Sequence, residues 1–223
     1  MDGVFFQLPP SFMAFMEPVL SEIAEHGIFS PIEPESFFLL SNEPYLFHVL
    51  NRKDVPIPRT MVFADLSSIS STVKDFSMPC MITAYHGAQR IQSTRCENLS
   101  SLQSVVNSLP TPLDCIMMRE QPTGAKVTSI TIGENVFSAE FSFNSQKNEF
   151  EKKGRLIRLG EAETYNVIQA SRAVGLEIAT IETIDGKIVG VSSMVGLEEM
   201  SQITSQNLFG LIAQFLVERC GGE

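Results

Sequence analysis

The sequence predicts an α+β protein built on antiparallel sheets, and two observations carry this prediction. Apolar residues recur at spacings of three and four over residues 161–174, which is typical of an amphipathic helix, and Gly175 follows where a helix can end in a left-handed residue. Two apolar runs then flank Asp185-Gly186, a dipeptide that favours a two-residue hairpin turn. A second hairpin is predicted over residues 126–142, with Gly133-Glu134-Asn135 at its turn.

Length and composition are those of a globular protein with one subdivided domain or two small ones. The chain has 223 residues, of which 43% are hydrophobic and 19% are charged. Its net charge of −10 argues against a nucleic acid or an anionic membrane as the main partner. The apolar run over residues 37–50 is too short to span a bilayer.

Cysteine usage and the N-terminus predict a cytoplasmic protein. The four cysteines form no CxxC pair and have no metal-ligand spacing, which favours reduced thiols but leaves an oxidised pair open. The acidic start, Met1-Asp2-Gly3, leads directly into an apolar segment and has no signal-peptide character.

The N-terminal third predicts a strand, Val4 to Leu8, followed by a helix that Ser11 caps. We expect Pro18 to kink or divide this helix. The residues expected on its inner face are Phe12, Phe15, Met16, Val19, Leu20 and Ile23. A second helix, over residues 43–51, is predicted to begin at the cap Ser41-Asn42.

The middle of the chain predicts a β-α-β-β-α order over residues 60–109. Pro56 and Pro58 impose an extended approach to the first strand. The predicted elements are strand 60–64, a serine-rich helix 67–76, strands 80–83 and 90–94, and a helix that Asn98 or Ser100 caps.

The C-terminal half predicts a strand over residues 114–120, the hairpin over 126–142 and a polar loop over 144–154. A strand over residues 155–159 then leads into the helix and hairpin already described. We expect Ser201 or Thr204 to cap a last helix that ends near Cys220.

Three segments resemble the RimK-like branch of the ATP-grasp ligases. Residues 55–60 (VPIPRT) resemble the family connector GIPVPxT, and residues 133–139 keep the frame of a family hairpin. Residues 175–182 and 190–197 follow the family patterns GLDIAGVD and EVNxxPGL. The resemblance implies an ATP-grasp-like fold with two α+β subdomains.

Within this resemblance, residues 1–59 are expected to be a remnant of the domain that precedes the ATP-grasp domain, most of which is missing. Residues 60–113 are expected to form the lid-like subdomain, and residues 114–223 the C-terminal core subdomain.

The resemblance also implies a chemistry that several residues depart from. ATP-grasp ligases phosphorylate a carboxylate with ATP, and an amine then attacks the acyl phosphate. Thr83 stands where the family has a phosphate-binding lysine, while Gly190 and Ser192 replace two metal ligands. Glu182 is the remaining metal candidate, although a hydrogen bond across the sheet to Lys187 or Arg119 is the favoured explanation for it.

Four residues are candidates for contacting a nucleotide. Glu120 lies at the family hinge, where its carboxylate could accept from an adenine amino group, and Arg119 precedes it. Arg90 follows the shortened phosphate loop, and Lys126 stands where the family has a substrate arginine. No catalytic residue is assigned.

Two functions are compatible with these departures. The first is a non-catalytic ATP-grasp homologue that acts through a protein partner or self-association, and for this function we expect no cofactor. Seven aromatic residues would suit such a surface, although most of them are expected in the core: Phe5, Phe6, Phe12, Phe15, Phe37, Phe38 and Phe47. The alternative is an ATP-dependent carboxylate–amine ligase with a rearranged site that uses ATP and Mg²⁺. Nucleotide sensing without turnover lies between the two, and a scaffold protein is the fallback.

Overall fold

The computed structural model describes residues 2–7, 12–66, 68, 69, 73, 76–87, 89–109, 113–144 and 149–221. The described residues contain both helices and antiparallel strands, as the sequence predicts. The helices are α1 (Met13–Glu25), α2 (Ser36–Ser41), α3 (Glu43–Arg52), α4 (Leu99–Ser108), α5 (Glu161–Ala173), α6 (Leu197–Thr204) and α7 (Leu208–Cys220).

The first sheet has the strand order β1-β4-β2-β3 and is antiparallel throughout. Its strands are β1 (Thr60–Phe63), β2 (Cys80–His86), β3 (Gln89–Cys96) and β4 (Cys115–Glu120). Strand β4 lies between β1 and β2. The subdomain boundary predicted at residues 113/114 therefore separates β4 from β1 and β2, the strands to which it is hydrogen-bonded. Strands that lie far apart in the sequence can pair in one antiparallel sheet.

The second sheet has the order β11-β10-β5-β6-β9. Its strands are β5 (Lys126–Ile132), β6 (Asn135–Phe141), β9 (Arg155–Ile157), β10 (Ile178–Ile184) and β11 (Lys187–Ser192), and a short pair, β7 (Phe143–Asn144) and β8 (Glu149–Phe150), precedes β9. The predicted hairpin turn at Asp185-Gly186 is confirmed, with φ of 52° and 69°. The predicted loop over residues 144–154 lies partly outside the described residues.

Helix α5 confirms the periodicity argument. Val167 and Ala170 are buried on the helix, and Val174, its C-terminal cap, is buried as well. Gly175 follows with a φ of 72°, the left-handed conformation expected there.

The N-terminal segment departs from its prediction. In place of a strand, residues 2–7 have one isolated bridge, between Gly3 and Phe29. Helix α1 is continuous through Pro18, and the expected cap Ser11 lies outside the described residues. Met16 and Leu20 are buried, while Phe12, Phe15 and Val19 are exposed; a single helix packed on one side buries only its i, i+4 stripe.

The C-terminal end also differs, because two helices replace the single predicted one. Thr204 closes α6, donating its hydroxyl to the carbonyl of Met200 at 2.6 Å, and Ser205 leaves the helix in a left-handed conformation. The cap of α7 is Asn207, whose side-chain oxygen accepts from Gly210 N at 3.0 Å. The predicted helix over residues 67–76 lies largely outside the described residues, so it stays a prediction.

One hydrophobic cluster connects the two sheets. It contains Tyr85 and Met117 from the first sheet, Ile181 from the second, and Phe47 on α3. In the part of the chain that the structure describes, no helix is long and apolar enough to cross a membrane.

Candidate functional site

Alternation along β2 and β4 gives the first sheet two distinct faces. Tyr85 and Met117 belong to the cluster that contains the buried side of α3, and Arg119 follows Met117 at the same parity. Ile82 and Met118, one position out of phase, belong to a separate cluster on the opposite face.

Three donors from this face converge on Glu43, the first residue of α3. The hydroxyl of Tyr85 donates to Glu43 Oε2 at 2.6 Å, and Arg90 Nη2 donates to the same oxygen at 2.5 Å. Arg119 Nη1 lies 3.3 Å from Glu43 Oε1, and its guanidinium stacks 4.4 Å from the ring centroid of Phe47. We call Glu43, Tyr85, Arg90 and Arg119 the Glu43 cluster.

The Glu43 cluster is buried on one side and open on the other. The side chains of Glu43 and Arg119 are 19% and 18% exposed, whereas that of Arg90 is 56% exposed. Burial lowers the pKa of Arg119, and Glu43 only partly offsets this. For Arg90, burial is again the largest single cause, but Glu43 and Tyr85 together outweigh it and raise the pKa. Burial, followed by the hydrogen bond to Glu43, raises the pKa of Tyr85.

A second ion pair lies on the second sheet. Lys126 Nζ is 2.7 Å from Glu182 Oε1, and the ammonium also lies 5.7 Å and 5.4 Å from the ring centroids of Phe141 and Phe150. On the neighbouring strand Gly190 is directly opposite Glu182. We call Lys126 and Glu182 the Glu182 pair.

The positions around the Glu182 pair carry few metal ligands. A Cβ placed on Gly190 would lie 3.4 Å from Glu182 Oε2, so a side chain at this position would adjoin the carboxylate. The hydroxyl of Ser192 accepts a hydrogen bond from Met194 N at 3.0 Å. Among the residues that the structure describes, no group of three or more His, Cys, Asp or Glu side chains could hold a metal ion.

Comparison with known proteins shows which proteins this chain is similar to. No protein-family profile matches the sequence. A probable alpha-L-glutamate ligase of Vibrio vulnificus (strain YJ016) is 24% identical over 182 residues, which are 75% of this chain and 60% of the relative. A protein of the same name from Shewanella loihica is 22% identical over 232 residues, covering 98% of this chain and 77% of the relative.

A solved structure gives the same fold. The ATP-grasp ligase PsnB, in complex with its minimal precursor, matches with a TM-score of 0.72 and 14% identity over 94% of this chain and 70% of PsnB. The chain has the ATP-grasp fold and resembles the RimK-like branch. It spans 60% of the length of the Vibrio relative, so the shared fold does not show that this chain has the activity of that protein.

The structure of this RimK-like protein brings some of the predicted site residues together and separates others. Arg90 and Arg119 share Glu43, and Lys126 lies with Glu182, where the sequence had suggested Lys187 or Arg119 as the partner. Glu120 is one residue out of phase with Arg119, and its Oε1 accepts from Ser77 N at 3.0 Å. The nucleotide and metal roles suggested for these residues stay predictions.

Two members of the Glu43 cluster were missed by the sequence analysis of this ATP-grasp protein. Glu43 was predicted only as the first residue of the helix over residues 43–51, and Tyr85 was not singled out. The available signal was charge: an acidic residue begins this helix, while Arg90 and Arg119 occur elsewhere in the chain. Their proximity depends on strand pairing far apart in sequence, which local patterns do not specify.

Four buried polar atoms in this RimK-like protein have no hydrogen-bond partner among the described residues. They are Nε2 of Gln7, Nη1 of Arg119, Oε1 of Gln121, directly after β4, and the hydroxyl of Thr180, two residues before Glu182. Unsatisfied buried polar atoms of this kind are compatible with a bound water or ligand.

Proposed function

We propose that this RimK-like protein is non-catalytic and acts by binding another protein. The observation that carries the proposal is that each candidate cation of the site already faces a carboxylate of its own chain. Arg90 and Arg119 face Glu43, and Lys126 faces Glu182. Phosphoryl transfer relies on positioning and on neutralising phosphate charge, and cations that are already neutralised contribute little to it.

The arrangement of metal donors supports the same proposal. Mg²⁺ favours an octahedral set of oxygen ligands and usually combines carboxylates with water and substrate phosphates. Glu182 offers one carboxylate, a lysine ammonium occupies one of its oxygens, and Gly190 opposite it has no side chain. The expected affinity for a nucleotide-bound metal is therefore low.

The exposed face of α1 supports an interaction role. Phe12, Phe15 and Val19 are 53%, 70% and 46% exposed and follow one another at spacings of three and four. Contiguous exposed aromatic and aliphatic side chains are typical of protein–protein contact surfaces. Of the other aromatic residues suggested for this surface, Phe37 and Phe47 are buried in the core.

The decisive experiment measures the thermal unfolding midpoint and phosphate release with ATP and MgCl₂. We expect the wild-type protein to show neither a midpoint rise nor phosphate release, because a ligand stabilises the native state only if it binds it. An active ATP-grasp ligase with its own substrates serves as the positive control. A magnesium-dependent rise together with phosphate release in the wild-type protein would overturn the proposal.

A double substitution tests whether metal binding can be restored, with the wild-type protein as its control. Gly190→Glu with Ser192→Asn places two additional oxygen donors beside Glu182, where the backbone of Gly190 has room for a Cβ. This variant should have a lower midpoint without metal, because two carboxylates repel, and a higher midpoint when MgCl₂ is added. The same MgCl₂ addition should leave the wild-type midpoint unchanged.

A second candidate function is an ATP-dependent carboxylate–amine ligase with a rearranged site. The unsatisfied atoms of Gln121 and Thr180 favour it, because they are polar groups for which the described chain supplies no partner. The relatives named probable alpha-L-glutamate ligases suggest glutamate as the amine to test first. Glutamate-dependent phosphate release in the presence of a carboxylate pool would support this function over the first.

A further inference from the structure

The Glu43 cluster has the composition of an anion-binding site. Two guanidinium groups and one phenol, from three different strands, are directed at a single carboxylate. Guanidinium groups form short, charge-assisted hydrogen bonds with carboxylate and phosphate oxygens alike. The carboxylate that fills the site is not on the sheet but on the first residue of α3.

We propose that Arg90, Arg119 and Tyr85 form an oxyanion site that Glu43 occupies from within the chain, and that an oxyanion group of a ligand, carboxylate or phosphate, competes with Glu43 for it. The inference goes beyond the proposed interaction role and requires neither metal nor turnover.

The donors retain capacity for a further or a different oxyanion. Glu43 Oε2 accepts from both Tyr85 and Arg90, whereas the buried Nη1 of Arg119 is 3.3 Å from Oε1 and forms no hydrogen bond. A ligand with more oxygen atoms than a carboxylate, such as a phosphate group, could satisfy that nitrogen as well. The donor set is therefore not specific for Glu43.

A ligand can approach the site from one side. The side chain of Arg90 is 56% exposed, whereas Arg119 is packed on the ring of Phe47 and Tyr85 is buried. The inner wall is thus fixed by the sheet and by α3, and the Arg90 side opens to solvent. An anion that enters beside Arg90 would displace Glu43 without disturbing the sheet.

Charge balance gives the competition a physical basis. Removal of the Glu43 carboxylate leaves two guanidinium groups close together, one of them largely buried, and an unpaired buried charge is strongly destabilising. An external anion would restore the balance. The site should therefore be measurable by chemical rescue of a variant that lacks the carboxylate.

The test uses Glu43→Ala and Glu43→Gln, with the thermal unfolding midpoint measured without magnesium and at constant ionic strength set with chloride. We expect both variants to unfold at a lower temperature than the wild-type protein in chloride alone. Sodium phosphate or sodium acetate at tens of millimolar should raise their midpoint by about 3 °C or more, and the wild-type midpoint by much less. Glu43→Gln keeps the size of the side chain and an acceptor for Tyr85, so it covers the case in which Glu43→Ala does not fold.

The control is the double variant Glu43→Gln with Arg90→Met, which removes one donor and retains the apolar stem. Rescue should be reduced in this variant if the anion binds between the two arginines. Rescue by phosphate alone would identify a phosphate-bearing ligand, and rescue by acetate alone a carboxylate ligand. Equal responses of the wild-type protein, the single variants and the double variant to both anions would overturn the proposal and leave the assignment of catalysis untouched.

Discussion

At the scale of single residues, Cys80 illustrates how strongly the first sheet buries a titratable group. Cys80 and Cys96 are directly opposite each other on β2 and β3, and both side chains are fully buried. Desolvation is the main cause that raises the pKa of Cys80 from 9.0 to about 12, with smaller contributions from Cys96 and Glu120. Burial likewise raises the pKa of Cys96 and Cys115.

These thiols predict a loss of stability in alkali. Between pH 9 and pH 12 the unfolded chain loses the Cys80 proton while the folded chain keeps it, so the unfolded state binds fewer protons. The free energy of unfolding should therefore fall by up to about 1.4 kcal/mol per pH unit above pH 9 for this thiol alone. Urea unfolding at a series of alkaline pH values measures the slope, and Cys80→Ala should make it shallower. An identical slope in the two proteins would contradict the assignment to Cys80.

Single-residue chemistry was only partly predictable from the sequence. Arg90, Arg119, Lys126 and Glu182 were selectable from the sequence because the family frame aligns them, while their nucleotide and metal roles stay predictions. Their partners were not selectable, because Glu43 reaches Arg119 only through the pairing of β4 with β2 and the packing of α3 on that sheet. Sequence patterns of local period carry no information on such contacts.

At the scale of elements, two glycines at hairpin and helix ends form a matched pair for a stability measurement. Gly175 and Gly186 have similar φ values of 72° and 69°, so an alanine at either position has the same backbone strain. A Cβ on Gly175 would lie 2.6 Å from Glu33 Oε2 and 2.7 Å from Ser36 Oγ, whereas a Cβ on Gly186 would meet no atom within 4 Å.

Gly186→Ala should thus lower the free energy of unfolding by about 1 kcal/mol, because only the strain of a left-handed backbone is added. Gly175→Ala should cost at least twice as much, because the carbonyl of Gly175 also accepts from Ser36 Oγ and Glu33 N, both at 2.9 Å, and the clash displaces these partners. Urea denaturation of the two variants gives the comparison. Equal losses would show that the contact with the α2 segment adds nothing to the helix end.

Element types were more predictable than element faces. The turn at Asp185-Gly186, the end of α5 and the cap Asn98 of α4 each depend on one or two residues with a strong local preference. The inner face of α1 depends on what the helix packs against, and six apolar residues on one helix do not specify which stripe is buried. The break between α6 and α7 was missed although the polar run Thr204-Ser205-Gln206-Asn207 marks it, because Ser201 and Thr204 were taken as caps in place of Asn207.

At the scale of the whole molecule, the two sheets do not have independent cores. Tyr85 and Met117 of the first sheet belong to one cluster with Ile181 and Ile188 of the second sheet, and the cluster also contains Phe47 of α3. The three-part division predicted from sequence stays a prediction. Glu43, on the first turn of α3, lies on a helix that contributes to this shared core.

The exposed face of α1 gives a prediction about assembly. Phe15→Glu alters a side chain that is 70% exposed, so the thermal midpoint should change little, whereas Met16→Glu, at a side chain that is 4% exposed, should unfold the domain because it buries an unpaired charge. If α1 is the contact surface, Phe15→Glu should also abolish self-association in sedimentation velocity, or the recovery of a partner that co-purifies with the wild-type chain. Retention of the same association by a folded Phe15→Glu variant would place the interaction elsewhere on the molecule. The neighbouring substitution separates the two roles of this helix: one residue tests what α1 presents to a partner, and the next tests what α1 contributes to the core.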